Sequence, residues 1–451
     1  MNSRPSFKLA IFRCLLAVLA LQSSALGQPV DSLPAKRFGR GALDLGLAEA
    51  TPWLVDRYIR NVDYTHISFG NIRDNLSPHS WAWDDDGFTT NQFGHPYHGS
   101  IFYNTFRSNG YSFWQSAPAA FAGSYIWETF GENQAPAPND FINTGMGGIV
   151  LGEMTHRLAH KIIDERRRGF RRQASEVLAL IIDPANGFDR IIDGRWGRVR
   201  ANSGMQDSTP IFAELDLGMR KFRADHTSSG FGLYGHVRFL YGSPFVNYRT
   251  PFSYFSVNAE LGKDDSSKLN IISVYGSLTG WRIGETKNSR HLALLSANYD
   301  FIHNEAFFYS GQSVKLLVFS EFGLLRKIRI NTTIGGGPVI LAAVPDTYHY
   351  EGRDYDYCTG IGVNGNFRIN FADRFSYSIN YRGGWLKTIN GSASHYFLHA
   401  ITSEFSAELV RHFSLCLEPG YFTLEGVYRH YANVDKTYPY LRASVRYTLN
   451  L

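Results

Sequence analysis

The sequence predicts an all-β transmembrane barrel of about 12 antiparallel strands behind an N-terminal α-helical block. Three observations carry this. From Ile211 to Leu451 the hydrophobic pattern has period two, the composition is aromatic and Gly-rich with few charges, and the N-terminus reads as an export signal. The last segment is the clearest strand. Leu441, Ala443, Val445, Tyr447, Leu449 and Leu451 alternate with Arg442, Ser444, Arg446, Thr448 and Asn450, which puts one set on each face. An apolar face opposed by Arg and Asn suits a strand between lipid and a wet lumen. Similar stripes occur at Ala293, Leu295, Ala297, Tyr299 and Phe301, at Phe375, Tyr377, Ile379 and Tyr381, and at Ile401, Phe405, Ala407 and Leu409. Turn formers separate the runs, as in Lys263-Asp264-Asp265-Ser266-Ser267 and Asn390-Gly391-Ser392. At roughly 20 residues per strand and turn, residues 211–451 hold on the order of 12 strands. A soluble β-sandwich would need shorter strands with polar outer faces; several runs here approach the roughly 9–11 residues a membrane strand needs.

Composition points the same way. Aromatics are 15% of the chain, with 26 Tyr and 33 Phe, while charged residues are 19%. Beyond the N-terminus no run of about 20 apolar residues occurs, which argues against a helical membrane bundle. A formal charge of +5, without aromatics interleaved among Lys and Arg, excludes a nucleic-acid groove. Residues 1–27 read as a signal peptide: Arg4 and Lys8 precede an apolar Leu15–Leu21, and Ala25-Leu26-Gly27 supplies small residues before Gln28. Cys14 falls inside it. Cys358 and Cys416 remain, free to pair in an oxidising periplasm or to stay as small buried residues. The expected location is the outer membrane of a Gram-negative bacterium. The expected partners are its lipid and lipopolysaccharide and the barrel assembly machinery.

Between signal and barrel, residues 28–80 read as irregular, 81–166 as a polar-seamed helical block, and 167–210 as a basic connector. Pro96 suits the first turn of a helix that stops at Asn109-Gly110. Tyr111 to Trp127 is a charge-free, Ala-rich stretch. After Pro136 and Pro138, Asn139 or Asp140 can cap a helix running from Phe141 to about Arg166. On it Gly145, Gly152, Glu153, His156, His160 and Asp164 share one broad side at about 100° per residue. Ala119/Gly123 and Gly148/Gly152 are small-xxx-small pairs that let helices approach closely. Arg166, Arg167, Arg168, Arg171 and Arg172 suit a helix C-terminus or anionic head groups.

Candidate chemistry concentrates in the block. Glu128, Glu132, Asp140 and Glu153 are candidate acid/base groups. His95, His98, Glu153 and His156 are candidate ligands for Zn²⁺ or Fe. Glu153-x-x-His156 is the spacing of carboxylate-bridged metal sites in helix bundles, which use it twice; it occurs here once. The bland readings stand beside these: Asp140 as an N-cap, His95 as a partner of backbone groups, Glu128 and Glu132 as solvated acids. No nucleophile elbow or phosphate loop occurs.

The run Thr90-Asn91-Gln92-Phe93-Gly94-His95-Pro96-Tyr97-His98-Gly99, then Trp127-Glu128, Gly131-Glu132, Asn139-Asp140, Asn143 and Gly152-Glu153, resembles an uncharacterised family of bacterial outer-membrane proteins over roughly residues 80–200. Asp183-Pro184 to Arg190 looks like part of the same pattern. The resemblance implies a helical block followed by a barrel, and no established activity. Glu128, Asp140, Asn143 and Gly148 are also similar in order to VanZ-like membrane proteins, although Ala137 stands where both patterns usually have Ser.

Three functions fit these residues. The first is a barrel whose lumen or mouth holds the block as a helical plug, with a structural or transport role. The second is a membrane enzyme that modifies a lipid or lipopolysaccharide through a buried His/Glu cluster, with or without a metal. The third is an adhesion scaffold, which would carry long charged loops that are scarce here.

Overall fold

The computed structural model describes residues 35–199, 209–224, 227–228, 231–262, 268–304, 307–325, 327–372 and 374–450. The expected signal peptide and the turn at 263–267 lie outside them.

Twelve strands form the wall: β1 (Ile211–Ala224), β2 (Gly232–Tyr241), β3 (Phe255–Gly262), β4 (Leu269–Glu285), β5 (Ser289–His303), β6 (Phe308–Leu325), β7 (Ile328–Pro345), β8 (Tyr355–Phe371), β9 (Phe375–Asn390), β10 (Ser394–Val410), β11 (Phe413–Tyr428) and β12 (Val434–Asn450). A two-residue piece, Thr227–Ser228, extends the β1 hairpin and is the thirteenth strand of the sheet. Each strand pairs antiparallel with the next, and β12 returns to β1 from Phe212↔Asn450 to Phe222↔Tyr440. The barrel is closed, so neither end strand presents an unpaired edge.

Which face points inward follows from side chains that meet across non-adjacent strands. Arg382 on β9 reaches Asp300 on β5 at 3.1 Å. Arg446 on β12 pairs with Glu404 on β10 at 2.7 Å, and Arg238 on β2 reaches Glu404 at 3.4 Å. These charges therefore fill the interior, as the period-two stripes require, and Leu217, Leu415 and Val445 face out and are exposed. Near the rim away from the chain ends, Phe222, Phe307, Tyr396, Phe422, Tyr438 and Tyr440 close an interior aromatic cluster. Cys358 and Cys416 are buried and unpaired.

Among the described residues eight α-helices precede the wall: α1 (Phe38–Val55), α2 (Phe69–Asn75), α3 (His95–Arg107), α4 (Phe113–Ile126), α5 (Pro138–Ile142), α6 (Gly148–Ile162), α7 (Gly169–Ile182) and α8 (Pro184–Ile192). None is long and apolar enough to cross a membrane. α3 and α6 run parallel in backbone contact. A Cβ on Gly99 would lie 1.9 Å from the Thr144 carbonyl oxygen, and one on Gly148 would lie 2.5 Å from the Gly99 carbonyl carbon. The small residues do what their spacing suggests.

The block is not a plug. Its residues Phe88, Tyr103, Phe113, Val150 and Leu151 share one core with Tyr241, Phe255, Val274, Tyr299, Phe301, Leu341 and Tyr357 of the wall. By alternation Tyr299 and Phe301 flank inward Asp300, and Val274 flanks inward Ser273, so the block covers the outward face. Burying each such side chain contributes roughly 1.5–3 kcal/mol, and the lumen is already occupied by its own ion pairs and aromatics.

Two other segments differ from expectation. Residues 28–80, read as irregular, contain α1, whose Gly39, Gly41, Gly46 and Pro52 weaken the local signal. Tertiary contacts hold it: Arg40 pairs with Asp189 at 2.7 Å, and Asp44 accepts from Asn109 at 2.8 Å. The basic connector of 167–210 is largely α7 and α8. Arg172 is buried against Glu176 at 2.6 Å, with Arg190 on the same carboxylate at 2.8 Å. Part of the Arg run thus braces helices, away from lipid and from a helix C-terminus.

Candidate functional site

Three π-helical turns meet at the candidate site: Thr90–Gly94 before α3, Trp127–Gly131 after α4, and Asn143–Gly147 between α5 and α6. Such turns free carbonyls from the helical ladder and concentrate at functional sites. Here Tyr299 on the wall donates to the freed Gln92 carbonyl, and Asn143 donates to the Asn91 carbonyl at 2.9 Å.

Between these turns His95, Glu128 and Asp140 converge, with ligand atoms within 4.8 Å of one another. Thr144 Oγ1 lies 3.3 Å from His95 Nδ1, which holds the ring with Nε2 3.5 Å from Asp140 Oδ1. Asp140 is not the cap of its helix. It sits inside the first turn, where Asn139 donates to its Oδ1 at 2.8 Å, and Ala137 is the cap residue. Glu128 Oε2 accepts the Ala137 N–H at 2.9 Å.

Glu128 and Asp140 are not solvated, at 1% and 3% exposed, whereas Glu132 is half-buried. Among the described residues no Lys or Arg is ion-paired to Glu128, Glu132 or Asp140; His95 is the one basic group in reach. Burial, then the Asp140 charge, pushes the Glu128 carboxyl up to about 8. Burial, then Glu128 and Asp140, holds Glu132 well above the usual range. Burial, then Asp84 and Asp86, does the same for Asp140.

Sequence reasoning passed over the surrounding shell. Asp84 receives Asn91 Nδ2 at 2.7 Å, and its N–H donates to Asn139 at 3.0 Å. Asn91 Nδ2 also reaches the hydroxyls of Tyr355 at 2.9 Å and Tyr357 at 3.0 Å on β8. Asn91, Asn139 and Asn143 belong to the motif that carries the family resemblance, which was a usable signal. Nothing in local sequence ties Tyr355 or Tyr357 to it.

The remaining candidates stand elsewhere. Glu153 is fully buried and satisfied by Tyr103 at 2.6 Å, Arg107 at 2.7 Å and Arg157 at 2.8 Å. Burial alone would raise its carboxyl, but the two guanidiniums outweigh it and hold it below the usual range. His156 lies against His160, 4.2 Å between ring centroids with the rings tilted, and faces Asp183 at 3.6 Å. Burial lowers it well below the ordinary imidazole value. His98 lies against Phe102 and Trp127, 4.3 and 5.0 Å between centroids, and burial lowers it to about 4. The Glu153–His156 pair and His98 therefore do not join His95 in one ligand set: α3 and α6 being parallel, residues two turns further along meet two turns further down.

Residues 80–185 match DUF3943, a domain of unknown function, over the stretch whose motifs carry the resemblance. No curated protein matches. Solved structures with similarity include the NanC porin, at 9% identity over 51% of this chain and 98% of that chain with a TM-score of 0.29. An anion-selective porin from Comamonas acidovorans is 7% identical over 54% and 99% of the two chains, TM-score 0.25. OmpT, an outer membrane protein of Vibrio cholerae, is 11% identical over 54% and 99%, TM-score 0.22.

Proposed function

We propose that this chain, whose residues 80–185 carry a DUF3943 domain, is an outer-membrane enzyme in which a closed barrel anchors an acid/base centre acting on a membrane lipid. One observation carries the reading: two carboxylates, Glu128 and Asp140, and His95 converge without an ion-paired Lys or Arg among the described residues, inside a block docked on the outward wall of the barrel. Strongly perturbed carboxyls in one place are what acid/base catalysis uses, and ionisable groups at membrane depth are expensive enough to imply a task. Substrate access from the bilayer fits the end of α4 and the turn after it, which expose Tyr125, Ile126 and Phe130 around Glu128.

In this chemistry an ionised carboxylate takes a proton from water as the water oxygen bonds to an ester carbon or phosphorus. A protonated carboxyl gives its proton to the departing oxygen, so charge and protons balance. With its carboxyl pushed up to about 8, Glu128 keeps a minor ionised fraction near neutral pH that can act as the base, while Glu132 and Asp140, held well above the usual range, supply the protonated carboxyl. The centre lies near Tyr355 and Tyr357, at the rim away from the barrel's chain ends, and a rim turned outward there would suit a substrate in the lipopolysaccharide leaflet. Purified protein incubated with outer-membrane phospholipid and lipopolysaccharide should yield new lipid species by mass spectrometry, and Glu128→Gln should lower the yield by on the order of 100-fold or more. An unchanged lipid profile with the wild-type protein defeats the proposal. Transport receives less support, because ion pairs cross the lumen at several heights.

A further inference from the structure

We infer that His95, Glu128 and Asp140 bind one divalent first-row transition metal ion, of which Zn²⁺ is the reference case. The inference rests on the proposed centre and names its cofactor. His95 offers Nε2, and its other nitrogen is held by Thr144 Oγ1, the outer-shell arrangement that orients metal-bound imidazoles. One imidazole and two carboxylates, with no thiolate, suit Zn²⁺, Fe²⁺ or Mn²⁺ better than a soft ion. Ligands about 2.0–2.2 Å from Zn²⁺ lie at most roughly 4.4 Å apart, and the three atoms here lie within 4.8 Å, so a small side-chain rotation closes the set.

A second observation points to a ligand as well. Asn91 and Asn143, each with 0% exposure, have Oδ1 atoms that accept no hydrogen bond. Asn143 lies one turn beyond Asp140 on the same helical run, and Asn91 one turn before His95. Thr129 Oγ1, beside Glu128, is likewise buried without a partner. Buried acceptors without donors are costly, and a cation with its bound water would satisfy them together with the uncompensated carboxylates.

Protein extracted from outer membranes without chelator is expected to carry about one such ion per chain. After stripping, titration with Zn²⁺ followed by calorimetry should show a single site. Asp140→Asn and Glu128→Gln should each weaken it on the order of 100-fold or more. Protease resistance of the block and heat-modifiability of the barrel check that the variants fold. A wild-type protein that binds no Zn²⁺, Fe²⁺ or Mn²⁺ after stripping, or folded variants that bind Zn²⁺ as tightly as wild type, would overturn the inference. Metal binding without lipid turnover sinks the proposed enzyme and leaves this site standing. Turnover by metal-free protein that is lost in Glu128→Gln does the reverse.

Discussion

Glu153 and Glu128 lie in the same helical block, are buried to the same degree, and differ in almost everything else. Glu153 has two guanidiniums and a phenol on its oxygens, while Glu128 has a backbone N–H, another carboxyl and a shared histidine. A buried charge with full compensation is a structural joint; removing one partner is what hurts. A buried charge without compensation is destabilising for the fold and persists where it has a use. The pair teaches that burial of an acid says little about function until its partners are counted.

The contrast can be broken in graded ways. Arg107→Ala should cost about 3 kcal/mol, because it leaves the buried Glu153 charge with only Arg157 and Tyr103; thermal unfolding or proteolysis of the block that matched wild type would remove the structural half of the comparison. Tyr299→Ala should cost about 3 kcal/mol of docking by losing packing on the outward wall and the bond to the Gln92 carbonyl. Its signature is a protease-sensitive block on a barrel that still shifts on heating in gels.

Asp140→Asn is expected to stay within about 1 kcal/mol of wild type, since it removes a like charge, and the distinguishing effect lies in pH. For metal-free protein, the raised Glu128 carboxyl means its stabilising contribution is full below about pH 4.5 and is lost as pH rises towards about 8. Glu153, held low, contributes above about pH 4.5 and loses that contribution as pH falls below it. Hydrogen exchange across this range should show opposite slopes near the two sites, and Asp140→Asn should flatten only the first. Parallel slopes would erase the distinction.

The barrel was legible because strand alternation is a local property: Arg442 and Arg446 declare the inward face, and Val445 the outward one, within a single strand. The helical segments of 81–166 were legible from Pro96, Asn109-Gly110 and the Pro136–Pro138 break. α1 was hidden because contacts with residues as distant as Asp189 outweigh its glycines. Of the site, Glu128, Glu132, Asp140 and His95 could be named from residue type and local density. Their grouping apart from His98, Glu153 and His156 depends on α3 and α6 running parallel, a relation that single helices do not encode. The π-helical turns and the β8 tyrosines left no local trace.

The hydrogen bonds from Asn91 to Tyr355 and Tyr357, with that from Tyr299 to Gln92, tie the first part of the chain to its last. The chemical centre is encoded early in the chain, yet the wall residues that shape it emerge more than two hundred positions later, and the wall closes only when β12 meets β1. A chain stalled in export before β5 and β8 would lack these three bonds between block and wall.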